Sequence, residues 1–148
     1  MVTKLSISRT QWAVGNGFFH SGNVSTVGFD VNYVYDCGAR SDAQLELARE
    51  VEEFLGRVER VDFMFVSHFD FDHVSGIPLL TDGIDIERFI IPLVPNAERL
   101  FILGGCFADG SFDGDGPNSD FYEDFIIDPS AALTSLTSNR PTSAEVQV

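Results

Sequence analysis

A chain of 148 residues, 44% of them hydrophobic, is long enough for one domain with a real core. Its 23 acidic residues against 9 basic ones give a net charge of −14, which repels nucleic acid and anionic membranes at long range and excludes a broad nucleic-acid grip. Two cysteines, Cys37 and Cys106, are too few for a disulfide framework and suit reduced thiols in the cytoplasm.

Met1 to Arg9 alternates polar and apolar residues and holds no continuous apolar run, so it does not read as a signal peptide. No run is long enough to span a bilayer, and no membrane association is expected. Leu5 and Ile7 alternate with serines and predict a half-exposed strand. Gly15-Asn16-Gly17 predicts a turn into a second extended stretch at Phe18-Phe19-His20. Asn23 to Phe29 and Val31 to Cys37 predict two further strands, rich in Val, Tyr and Phe. Tyr35-Asp36-Cys37-Gly38 runs from an apolar strand into an acid and a glycine, the pattern of a buried strand ending at a functional edge.

Ser41 opens a helix with a capping box completed by Gln44. Leu47, Val51, Phe54, Leu55 and Val58 fall on one stripe, with charged residues over most of the remainder. Val61 to Val66 is a short apolar run containing Asp62, and strand–helix–strand order predicts an α/β layered fold. Val74 to Leu80 predicts a short helix with Pro78 in its first turns, Arg88 to Leu93 a strand, and Asn96 to Leu103 a helix stopped by Gly104-Gly105. Asp109 to Asp120 reads as a solvated acidic loop, and Phe121 to Ile127 as one more short element. A calcium loop starting at Asp113 fails, because Pro117 and Asn118 stand where an acceptor and a glycine belong. The Ser/Thr-rich tail over 129–148 is expected to be weakly ordered, leaving 1–128 as the domain.

The chemistry concentrates in Ser67-His68-Phe69-Asp70-Phe71-Asp72-His73-Val74-Ser75-Gly76. In extended chain, residues two apart point the same way, so His68, Asp70 and Asp72 line one side. A helix starting near Asp72 swings His73 back toward them, and four potential ligands converge. Two imidazoles and two carboxylates suit zinc, and also manganese or iron. Two carboxylates held together repel each other unless a cation sits between them. One histidine at a strand end is usually a cap or a core residue, and Asp is common in turns. A chance His-x-Asp-x-Asp-His after an apolar strand is far rarer.

This segment resembles the signature of the metallo-β-lactamase superfamily, His-x-His-x-Asp-His-x-x-Gly. His68, Asp72, His73 and Gly76 match, and Asp70 stands at the second histidine, a variant similar to the ComEC-type branch. The resemblance implies an αββα sandwich, of which this sequence carries the N-terminal half. It implies a metal-dependent hydrolase with one or two divalent ions, zinc first and manganese or iron as alternatives. His68 and Asp70 would hold the first ion, Asp72 and His73 the second, and Asp72 would also orient or deprotonate the attacking water. Asp36, ending an early strand, would support the loop from behind. A turn or helix-entry cap is the competing reading for Asp36. His20 matches no family ligand and is expected in a polar surface or core role.

The family's later histidines and bridging aspartate have no counterpart, since no histidine follows His73. Either the sequence is an N-terminal piece, or carboxylates replace the ligands, or the site is degenerate. The expected substrate is a small molecule or phosphoester. The alternative is a degenerate or truncated binding module that needs a partner chain to complete the fold, with one sheet face left apolar and uncovered. A structural acidic domain without metal ranks last.

Overall fold

A computed structural model describes residues 4–109, 119–137 and 145–147. Three antiparallel strands open the chain: β1 (Ser6–Gln11), β2 (Gly17–Thr26) and β3 (Phe29–Ala39). The stretch Asn23 to Phe29 is not a strand of its own. β2 runs through Asn23 to Thr26, and Val27 and Gly28 make a two-residue turn, with Gly28 at a φ of 86° that suits glycine.

A 3-10 turn over Ser41–Ala43 leads into α1 (Gln44–Leu55). The predicted capping box does not form. No side-chain cap bond is made at either start, because the Gln44 amide is drawn away to donate to Ala39 O at 2.6 Å and Ser75 Oγ at 3.2 Å. The apolar stripe does bury Leu47, Val51 and Phe54. The run around Asp62 divides into β4 (Arg60–Val61) and β5 (Phe63–Phe65). Asp62 breaks it by accepting the Asn32 N–H at 2.7 Å.

α2 (Phe71–Val74) and α3 (Ile77–Gly83) follow, then β6 (Asp85–Ile86) and β7 (Arg88–Ile90). α4 (Asn96–Asp109) continues through Gly104-Gly105 instead of stopping there. A glycine inside a helix costs about 1 kcal/mol against alanine, which a longer helix can carry. Asp113 and Asp115 lie outside the described residues.

α5 (Ser119–Ile127) and α6 (Pro129–Thr137) close the helical part, and β8 (Glu145–Gln147) pairs with β7. The expectation of a weakly ordered tail is therefore corrected for its first nine residues. Ala132 and Leu133 are buried in α6. Its hydroxyls bond back to helix carbonyls, Thr134 to Ser130 O and Thr137 to Leu133 O, so their polarity costs little. Asp128 Oδ1 accepts the Ala131 N–H at 3.0 Å and caps the start.

The main sheet has the order β1-β2-β3-β5-β7-β8, parallel from β3 onward, and β4 pairs with β6 in a second small sheet. Phe19, Val34, Met64 and Phe89 form its buried face and share the core with Leu47, Phe54, Ile77, Leu80 and Leu133. The described residues thus make one sheet-and-helix pair of layers. The strand register puts Tyr33, Tyr35, Phe63, Phe65 and Ile90 together on the opposite face. That face is open: Tyr35 is 41% exposed and the others are half-buried. No described helix is long and apolar enough to cross a membrane.

Candidate metal centre

The site begins with an irregularity in β3. Phe19 pairs with Cys37 and His20 with Tyr35, so Asp36 has no partner across the ladder. Asp36 is the extra residue of a β-bulge, with a φ of 54°. That left-handed conformation costs a non-glycine residue about 1–2 kcal/mol. It re-aims a carboxylate that is only 1% exposed.

Three donors offset the cost. The Ser67 N–H donates to Asp36 Oδ1 at 2.7 Å, where β5 has run out of backbone partners. The Ser67 hydroxyl donates to Oδ2 at 2.6 Å, and His73 Nδ1 meets Oδ2 at 2.9 Å. A carboxylate without a proton can only accept, so His73 Nδ1 is the donor here, and in the neutral ring Nε2 is then the acceptor.

The same carboxylate reaches His68 through one link. The single Ser67 hydroxyl proton goes to Asp36, so Ser67 Oγ must accept from His68 Nδ1, 2.7 Å away. In a neutral His68 ring Nε2 is then likewise the acceptor. Asp36 thus favours the same tautomer in both neutral imidazoles, with Nδ1 engaged and Nε2 left as the potential metal ligand. Their ring centroids are 3.9 Å apart.

Backbone contacts hold the loop in place. The Gly76 N–H donates to Cys37 O at 2.8 Å, and Ser75 bridges to the Ala39 backbone at 3.0 and 3.1 Å. At Gly38 the chain of α2 passes so close that an added Cβ would lie 2.6 Å from backbone atoms of Asp72 and His73. Phe18 stacks nearly parallel on the His73 ring, with centroids 5.9 Å apart and planes 6° apart.

Asp36, His68 and His73 form a cluster whose candidate ligand atoms lie within 4.8 Å of one another. Asp36 is the least free of them, since its oxygens already accept three hydrogen bonds. Asp70 adjoins the cluster from its exposed side, with Oδ2 3.4 Å from His68 Nε2. Asp72 sits half-buried in the first turn of α2 and does not join the three-residue group among the described residues. His20 stands apart, with its ring between Phe18 and Tyr33. Burial first, and then the charge of Arg9, hold its pKa below the usual histidine value. Sequence reasoning missed Ser67 and Ser75, whose roles are relays between elements rather than ligands.

The residues present fit a divalent cation. His68 Nε2 and Asp70 Oδ2 face each other at 3.4 Å, a histidine and a carboxylate at the mouth of a cluster that holds a second histidine. A divalent cation would take these atom types, an imidazole nitrogen and a carboxylate oxygen, as ligands.

The family model of the metallo-beta-lactamase superfamily matches residues 20–136, well over half of the 148-residue chain. No curated protein matches it. The match runs from His20 within β2 through the bulge at Asp36 and the whole histidine loop, and the chain belongs to the metallo-beta-lactamase superfamily.

Proposed function

We propose that this chain is a metal-dependent hydrolase acting on a phosphoester or related ester. The observation that carries the reading is that Asp36 and Ser67 engage Nδ1 of both histidines, while His68 Nε2 faces the Asp70 carboxylate. His68 and Asp70 would hold one divalent ion, zinc first and manganese or iron as alternatives, and Asp72 and His73 a second. When bound, such an ion supplies a hydroxide at neutral pH and polarises the scissile bond.

The chain's own residues do the remaining work. Asp72, in the first turn of α2, orients the attacking water and takes its proton. Asp36 and Ser67 keep both histidines in the metal-binding tautomer throughout. The stacked Phe18 ring covers one side of His73 and keeps water from it. With a net charge of −14, an anionic ester is drawn in only by a local positive centre, so binding of substrate depends on the ion. Cys37 and Cys106 are both free thiols, which supports placing the chain in the cytoplasm.

A second reading rests on the open aromatic face: a binding module completed by a partner chain. Phe18 touches both His73 and Tyr35, so a chain covering that face would also close the site. One assay separates the two readings. With zinc or manganese supplied, the purified chain is expected to hydrolyse bis(p-nitrophenyl) phosphate. His68→Ala or Asp72→Ala should each lower the rate by roughly 100-fold or more. Metal uptake without turnover by the chain alone favours the partner reading, and equal rates in wild type and variants rule out the hydrolase.

A further inference from the structure

The histidine loop alternates. His68 and Asp70 face outward, with Asp70 62% exposed, while Phe69 between them is fully buried. What buries the inward side comes from far along the chain. Phe69 meets Phe125 edge-on at 4.9 Å between centroids, and Phe71 meets Tyr122 edge-on at 5.2 Å. Phe121 backs Phe125 at 5.6 Å. All three partners lie on α5, some 50 residues after the loop in sequence. Tyr122 is only 2% exposed, and its hydroxyl lies 3.6 Å from Cys106 Sγ on α4. Burial chiefly, then the Cys106 contact, then the nearby Asp70 and Asp72 carboxylates push its phenol upward and keep it neutral.

We infer that α5 positions the metal-binding loop, with Phe125 and Tyr122 clamping Phe69 and Phe71 so that His68, Asp70 and Asp72 keep their directions. This rests on the metal reading above. Asp36 fixes the histidine tautomers from the β3 side, but nothing on β3 grips Asp70, which leaves the loop between strand and helix with α5 as its second wall. A ring removed from that wall frees the extended residues to rotate. Edge-to-face aromatic pairs have preferred geometry, so an aliphatic replacement of similar bulk fills the space without fixing the direction.

The experiment uses the full chain and its variants Tyr122→Phe, Tyr122→Leu and Phe125→Leu. Val51→Ala, on the buried stripe of α1, serves as a control for lost stability alone. Cobalt(II) is the probe, read by its visible absorption and its dissociation constant. Tyr122→Leu and Phe125→Leu should weaken cobalt binding about tenfold and alter the band shape. Tyr122→Phe, which keeps the ring, should match wild type, and Val51→Ala should lower the melting temperature without altering the spectrum.

Amide hydrogen exchange on the metal-free protein tests the clamp without metal. Exchange over residues 68–74 should rise about tenfold in the two leucine variants and not in Val51→Ala. If wild type takes no cobalt but exchange behaves as expected, the metal reading fails and the clamp stands. Unchanged exchange in both leucine variants, or an equal rise in Val51→Ala, overturns the clamp whatever the cobalt result.

Discussion

Asp36→Ala is expected to lower the melting temperature and to weaken metal binding together. The substitution strands three donors: the Ser67 N–H, the Ser67 hydroxyl and His73 Nδ1–H. Each buried donor left unmet costs about 1–3 kcal/mol, with relaxation and water entry recovering part of it, so a net loss near 3 kcal/mol is expected. Alanine also takes the left-handed conformation less willingly than Asp does. Asp36→Asn separates charge from backbone. Asparagine tolerates that conformation, so most of the stability should remain. Its amide can donate where the carboxylate only accepted, which releases His73 to move its proton to Nε2. Metal affinity should then fall about 10–100-fold with little change in melting temperature. Nitrogen-15 NMR of the histidine rings reads the tautomer directly. Unchanged Nδ1–H tautomers in Asp36→Asn, together with unchanged affinity, would falsify the role given to Asp36.

Gly38→Ala is the second large effect. The added methyl would sit 2.6 Å from the backbone of Asp72 and His73, and those atoms cannot swing aside as a side-chain tip can. Ordinary contact requires about 1 Å more, so α2 must lift from β3. Overpacking of this kind costs about 1–3 kcal/mol, or roughly 2–12 °C in a domain this size. The displacement also carries His73 away from Asp36 and breaks the 2.9 Å contact between them. Calorimetric zinc titration should show binding weakened tenfold or more, since sites of this kind tolerate errors of about 0.5 Å. Gly56→Ala is the matched control. Its φ is −70° and the nearest atom to a new Cβ is 3.5 Å away, so it should be neutral or slightly stabilising. Equal losses in both glycine variants would show that close backbone approach is not what Gly38 provides.

Much of this site was legible in the sequence because its parts are local. The spacing from His68 to His73 needed only one extended step and the start of a helix, and α2 does begin at Phe71. The α1 stripe was legible for the same reason: period 3.6 over twelve residues leaves few alternatives. The bulge at Asp36 was not read, although it left a trace. The inward residues Val34 and Cys37 are three apart, where an unbroken strand would place them two apart. The helical tail also announced itself, since Asp128-Pro129 is a cap followed by a proline at the first helical position. Its Ser/Thr content outweighed that signal because composition says nothing of hydroxyls that bond to their own helix. The clamp by Tyr122 and Phe125 was beyond reach, since it joins residues some 50 positions apart and depends on tertiary packing.

The measurement that tests the central claim most directly is the metal content of the purified chain, by elemental analysis after exposure to zinc or manganese and removal of free ions. The account predicts about one or two tightly held transition-metal ions per wild-type chain, and a clear loss in His68→Ala and His73→Ala. A wild-type chain that retains no more metal than those two variants contradicts it.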